Sequence, residues 1–277
     1  MYKNMPMPKP FSAEIVYFCN MSIVRAKKSL GQHFLRDQNI ARKITDSLLP
    51  VTRDILEIGP GMGVLTRHLF ANPAFSVRAI DIDQESIDYL HQELPEYQDR
   101  ILYGDFLKTD IRRYYQEPFS VIGNLPYNIS SQIFFRIIEN RHLVRQVVCM
   151  IQKEVAASPG SKTYGILSVF LQAFYHIEYL FTVGEKVFDP PPKVKSAVIR
   201  LTRNERVELG CEEKLFFNVV KTGFNQRRKT LRNSIRGIIP PGFDSPYLNL
   251  RPEQLGITDF LQLCQDIEKN RNIGDKA

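Results

Sequence analysis

The sequence predicts an α/β fold: an open, mostly parallel sheet followed by a small all-helical C-terminal domain. Three observations predict it. From about residue 40 to 200, short apolar runs alternate with helix-like segments, the pattern of parallel strands with helices on both faces. Several of those runs end in a glycine, an acid or an amide, as strands do at the ligand-binding edge of such a sheet. Beyond about Arg203 the chain becomes helix-like and strand-poor.

Residues 1–21 carry a short apolar patch, Ile15 to Cys19, too short and poorly flanked for a signal peptide. They are expected to be a disordered extension, with residues 1–20 alternatively lying upstream of a start at Met21. A sheet domain is expected over residues 22–203 and a helical one over 204–277. Asp54–Ile58 reads as a buried strand running into glycines, and Val64 to Phe70 as the helix that follows. Phe75–Ile80 is a second strand, ending at Asp81. The amphipathic run Gln84–Leu94 comes next, with Asp83 placed as its N-cap. Arg100–Tyr103 is a third strand, ending near Asp105, and Phe119–Ile122 a fourth, ending at Asn124. Val147–Ile151 is a fifth. Tyr179–Val183 and Ser196–Leu201 predict an antiparallel pair closing the sheet edge. Lys214 to Ile239 is the dominating helix-like stretch, Pro240-Pro241-Gly242 a break, and Asp259–Lys269 a final short helix.

Composition narrows the function. The 277 residues are 43% hydrophobic, enough for a sizeable core. The net charge of +7 favours an anionic partner, nucleic acid ahead of an acidic membrane surface. The plainest alternative is a generally basic soluble enzyme. Cys19, Cys149, Cys211 and Cys264 are scattered and lack disulfide or metal-ligand spacing. A reducing, cytoplasmic location is expected, and no apolar run approaches the ~20 residues of a membrane span.

Glu57-Ile58-Gly59-Pro60-Gly61-Met62-Gly63 follows the first strand. Glycines there let the backbone approach a ligand. The plain alternative is a tight strand-to-helix turn, and the G-x-G-x-G spacing departs from the dinucleotide G-x-G-x-x-G. Polar residues at successive strand ends strengthen the ligand reading. Asp81 can accept from ribose hydroxyls and Asp105 from an exocyclic amine, with Asn124 ending the next strand. Each acid alone reads more readily as a helix cap or a solvated loop residue; it is their joint placement that favours a ligand.

These features resemble the S-adenosylmethionine-dependent methyltransferases and, more narrowly, the ribosomal RNA adenine N6-dimethyltransferase family. The carriers are Leu30-Gly31-Gln32-His33-Phe34-Leu35, Glu57-Ile58-Gly59-Pro60-Gly61, Gly123-Asn124-Leu125-Pro126-Tyr127-Asn128-Ile129-Ser130 and Gln152-Lys153-Glu154. Phe188-Asp189-Pro190-Pro191-Pro192-Lys193-Val194 and Phe224-Asn225-Gln226-Arg227-Arg228-Lys229-Thr230 complete them. The resemblance implies a Rossmann-like methyltransferase sheet that uses S-adenosylmethionine and no metal. It places His33 and Leu35 on the cofactor, Gly59 at its methionine part, Asp81 on the ribose, Asp105 on the adenine amine and Asn124 beside the sulfonium. Many relatives carry Asn where this chain has His33. Relatives also carry a few more residues where this chain reads Val155 to Thr163.

For the chemistry, Asn124 and the Leu125 carbonyl are the natural acceptors for the hydrogens of a target adenine N6. Pro126 stiffens that turn, and Tyr127 offers a stacking platform for a base swung out of its helix. Phe188 can close the other face of the base. On the residues alone it reads better as packing against Pro190 and Pro191. No dedicated general base is evident. Asn128 or Ser130 is expected to cap the next helix.

The run from Phe224 to Arg236 is strongly basic. As one helix it puts Phe224, Leu231 and Ile235 on one face, Arg228 on the apolar side, and Lys229, Arg232 and Arg236 outward. Arg227, Lys229, Arg232 and Arg236, with an N-terminal cluster of Arg25, Lys27 and Lys28, are the expected RNA contacts. A solvated charged helix is the plain alternative. The resemblance implies dimethylation of two adjacent adenines near the 3′ end of small-subunit RNA, by a monomer acting on a 30S precursor. The rivals are the large-subunit RNA methyltransferases of macrolide resistance, and a non-catalytic assembly factor on the same fold.

Overall fold

The structure is a computed structural model that describes residues 24–155 and 165–274. The expected extension at 1–21, and all of the segment 155–163 except Val155, lie outside them. In chain order the main elements begin with β1 (Phe34–Leu35), α1 (Gln38–Thr45), β2 (Asp54–Ile58) and α2 (Thr66–Phe70). β3 (Ser76–Asp81), α3 (Gln84–Glu93), β4 (Ile101–Tyr103), β5 (Phe119–Asn124), α4 (Ser130–Glu139) and β6 (Val144–Gln152) follow. The rest are α5 (Ile166–Phe174), β7 (Tyr175–Val183), β8 (Phe188–Asp189), β9 (Ser196–Arg203), α6 (Glu213–Asn225), α7 (Leu231–Ser234) and α8 (Ile257–Gly274).

Seven strands form one sheet in the order β4-β3-β2-β5-β6-β9-β7. The first five are parallel, and β9 pairs antiparallel with both β6 and β7, so the expected antiparallel pair does close one edge. The central strands are apolar along their length because both faces are covered. Ile55, Val77, Ile122 and Val148 pack with Ile44 of α1 and Leu69 on one side. Leu56, Val121 and Val147 pack with Phe134 and Phe170 on the other. That second cluster runs on without a break into Phe216, Leu231 and Phe260, so the C-terminal helices share a core with the sheet.

Chain direction positions the ligand edge. From β2 the chain steps outward through β3 and β4, then returns to β5 on the other side of β2. Such a reversal opens a crevice at the carboxyl ends of the two strands. Gly123 belongs to this junction: a Cβ there would collide with the Ile58 carbonyl, so β5 can lie this close to β2 only with glycine.

Several local expectations need correction. The helix expected from Val64 starts at Thr66, because residues 61–65 are still turning. The 214–239 stretch is not one helix. α6 stops at Asn225, and α7 resumes at Leu231. Phe224, Leu231 and Ile235 are still all buried, but a bend brings them together rather than a shared helical face. Arg228 lies in that bend and is exposed, rather than on the apolar side of a helix. The final helix is longer than expected, at 18 residues. Neither Asn128 nor Ser130 caps α4: the cap position is Ile129, without a side-chain bond. Asp83 does cap α3, accepting from the Glu85 N–H.

Candidate active site

The carboxyl ends of β2 to β5 open into a cavity of about 250 Å³. Gly59, Asp81, Asp105 and Asn124 line it, each from the end of a different strand, and residues 29–35 form a further wall. Gly59 has φ +68, a backbone state that glycine adopts without strain.

The acids are held rather than loose. Asp81 is 7% exposed. Its two oxygens accept from the Gly61 N–H at 3.2 Å and the Asp83 N–H at 2.9 Å, and each keeps lone pairs for another donor. Burial pushes its carboxyl above the ordinary range, and those backbone bonds partly offset the push. Asp105 accepts from the Leu107 N–H at 2.9 Å and faces Lys108 at 3.5 Å.

Asn124 is oriented by the segment before β1. Its Nδ2 donates to the His33 carbonyl at 2.9 Å. This fixes the amide plane and leaves Oδ1 without a donor among the described residues. No described residue donates to the Leu125 carbonyl either. Two consecutive residues of one turn thus each carry an acceptor without a donor among the described residues. Tyr127 follows, with its hydroxyl 2.5 Å from Ser196 Oγ and its ring stacked on His33, centroids 5.6 Å apart. His33 Nδ1 lies 2.7 Å from the Pro190 carbonyl. A carbonyl can only accept, so Nδ1 carries the proton.

Comparison with known proteins decides the family. The family model described as ribosomal RNA adenine dimethylase matches residues 23–256. The chain belongs to the ribosomal RNA adenine dimethylase family. This dimethylase is 54% identical to the ribosomal RNA small subunit methyltransferase A of Parabacteroides distasonis, over 90% of this chain and 97% of that one. It is 56% identical to the same-named protein of Porphyromonas gingivalis, over 88% and 98%. Among solved structures it resembles a dimethyladenosine transferase from Plasmodium falciparum, with TM-score 0.70 and 26% identity over 86% of this chain and 98% of that one. It also resembles the 23S rRNA methyltransferase ErmE, with TM-score 0.61 and 25% identity over 85% and 99%.

S-adenosylmethionine is the cofactor of the family, and the dimethylase cavity has the groups to receive it. Glu57 is 1% exposed, and its Oε2 has no hydrogen-bond partner. A buried polar atom left open at a cavity wall calls for a donor from a ligand, and the cofactor's ammonium is one. Burial lifts the Glu57 carboxyl to about 8. The neighbouring Thr66 hydroxyl lowers it somewhat, and the Asp81 charge adds to the rise. Among the described residues, no cluster of His, Cys, Asp and Glu suits a metal ion, and no helix is long and apolar enough to cross a membrane.

The dimethylase departs from the expected site in three places. Phe188 does not border the cavity. It is 4% exposed, pairs with Leu35 across the β1–β8 ribbon, and packs with Val183 and Val198. Its apolar burial outweighs a stacking role in this geometry. Lys27 is not free for phosphate: its Nζ lies 2.5 Å from Asp83 Oδ1 and 3.0 Å from Glu85 Oε1. Arg232 is engaged as well, 2.6 Å from Asp244. Arg25, Lys28, Arg227, Lys229 and Arg236 are exposed. Sequence reasoning missed the partnership of Gln32 with Asp83, at 2.8 Å. Its only signal was that Gln32 lies inside the same motif as His33 and Leu35.

Proposed function

We propose that this dimethylase converts two adjacent adenines near the 3′ end of 16S, small-subunit ribosomal RNA to N6,N6-dimethyladenine. It acts in the cytoplasm as a monomer on a 30S precursor particle and so takes part in ribosome biogenesis. The reading rests on the pair of open acceptors, Asn124 Oδ1 and the Leu125 carbonyl, beside the exposed part of Tyr127.

Bound S-adenosylmethionine supplies an electrophilic methyl group on a good leaving group. The protein's task is then to place a weak nucleophile in line. Asn124 Oδ1 and the Leu125 carbonyl accept the amine hydrogens, holding the nitrogen in a more tetrahedral and more nucleophilic state. Tyr127 stacks on the extruded base, a contact worth roughly 1–3 kcal/mol. Gly59, Asp81, Asp105 and Glu57 hold the cofactor, with His33 and Leu35 on its N-terminal side. The helical domain, residues 204–277, grips phosphates through Arg227, Lys229 and Arg236, a sequence-independent attraction that weakens with salt. Small-subunit RNA is favoured because the relatives more than half identical to this chain are named for the small subunit.

Labelled S-adenosylmethionine should be incubated with unmethylated 30S particles and, separately, with 23S RNA. Four methyl groups on two adjacent adenines of the 30S RNA are expected. Label on 23S RNA alone would overturn the reading. Tight particle binding with no label on either would favour an assembly factor.

A further inference from the structure

We propose that residues 27–35 form a strap clasped over the cofactor by Asp83, and that Lys27, Gln32 and Asp83 are positioning residues that set how long S-adenosylmethionine stays bound. The proposal rests on the reading of the cavity as the cofactor site.

The clasp is a closed set of polar contacts. The Asp83 side chain is 0% exposed, yet it faces two donors from a segment more than 50 positions away in sequence. Lys27 Nζ lies 2.5 Å from Oδ1, and Gln32 Nε2 donates to Oδ2 at 2.8 Å. Gln32 Oε1 in turn accepts from the Lys27 N–H at 2.7 Å, so the two strap residues lock each other as well as the acid. Within the α3 N-terminus, the Glu85 N–H and the Ser86 hydroxyl donate to the same carboxylate at 3.2 Å each. The Lys27 and Gln32 contacts hold the Asp83 carboxyl below its ordinary range despite its burial.

The clasp lies at the start of the wall that residues 29–35 give the cavity. The other end of the strap is fastened too. Leu35 pairs with Phe188, Arg36 bridges to Asp189, and the His33 carbonyl holds Asn124. Midway, Asn128 packs against Gly31. A strap held against the cavity in this way would slow the release of a ligand bound there. The clasp is made by the side chains of Lys27 and Gln32 alone, whereas the far end adds a backbone-paired ribbon over an apolar cluster to its polar contacts. Loss of the clasp lowers the fraction of molecules with the strap closed, and apparent affinity falls with that fraction. Lys27 thus serves the cofactor rather than RNA phosphate.

The test uses the full chain with Lys27→Met and Gln32→Leu combined, which removes both donors and leaves Asp83 its helix-cap bonds. Dissociation of radiolabelled S-adenosylmethionine is followed after a chase of unlabelled cofactor. Faster release is expected, with apparent cofactor affinity roughly tenfold weaker, as for a strap closed about a tenth of the time, KM for the cofactor raised and kcat retained. Lys27→Arg alone should keep slow release. A folded double variant that releases cofactor at the wild-type rate would overturn the clasp. So would lost RNA affinity with unchanged cofactor release, which would return Lys27 to phosphate binding. Should the double variant not fold, Gln32→Leu alone is read by the same criterion. Wild-type protein that binds no cofactor would defeat the underlying reading of the cavity, a different result from either.

Discussion

Asn124 depends on having different partners on its two side-chain atoms. Nδ2 is spent on the His33 carbonyl, so Oδ1 is the end presented to the cavity. Asn124→Ala should abolish methyl transfer, with kcat/KM down at least ~10²-fold, the scale of a lost preorganised hydrogen-bonding group. RNA binding by filter retention should stay near wild type, and unchanged turnover would remove the role. Asn124→Asp tests orientation, since it loses the donor to His33 and adds a charge beside the target amine. Glu57 makes the pH prediction. Its folded-state carboxyl is raised to about 8 from an ordinary 4.5. Between those two pH values the folded protein keeps a proton that the unfolded chain has released. Ligand-free stability should therefore fall as pH rises through that window. Glu57→Gln should flatten the fall and raise stability at pH 8 by an amount on the order of a few kcal/mol. Tm measured from pH 5 to 8 without cofactor checks both the slope and the gain. Equal slopes in the two proteins would place the pH dependence elsewhere.

At the scale of elements, the β2–β5 junction is where packing and chemistry meet. Gly123→Ala puts a methyl group against the Ile58 carbonyl, backbone against which no rotamer change can give way. The strands must part, at a cost of about 1–3 kcal/mol, and Asn124, the next residue, moves with them. Urea unfolding should report the modest loss and single-turnover methylation a much larger one. Proportionate losses would make Gly123 purely structural. The sheet itself was legible because each buried strand is a local apolar run ending in a polar residue, and Asp81, Asp105 and Asn124 fall on one edge as the pattern requires. The C-terminal helix was misread for a physical reason. Apolar offsets of 0, 7 and 11 fit one helical face, but a bend at residues 226–230 buries the same three side chains. The Asp83 clasp had no local signature at all, since its partners meet only after the sheet has formed. Phe188 was expected to pack against Pro190 and Pro191 or to face the base; in this geometry its ring lies in the core beside Leu35, Val183 and Val198, contacts that no local run of sequence marks.

The whole molecule joins the two chemical tasks through one core. Phe216, Leu231 and Phe260 of the C-terminal helices belong to the same apolar cluster as Phe134, Val147 and Leu125 of the turn after β5. The basic bend is therefore held at a set distance from the cavity rather than carried on a loose arm. Within that bend the cations are not equivalent. Arg232 is already neutralised by Asp244, while Arg227, Lys229 and Arg236 have no ion-pair partner among the described residues and are exposed. Each of these three that meets a phosphate should release condensed counterions. Replacing all three with Gln should then make the plot of log K against log salt shallower by about 2 to 3. Arg232→Gln should change the slope less, because its charge is compensated in the free protein. Cofactor release should not change in the triple variant, since none of the three touches the cavity wall. An unchanged salt slope would move the RNA grip to another surface, with the exposed Arg25 before the strap and Lys28 within it as the next cations to replace.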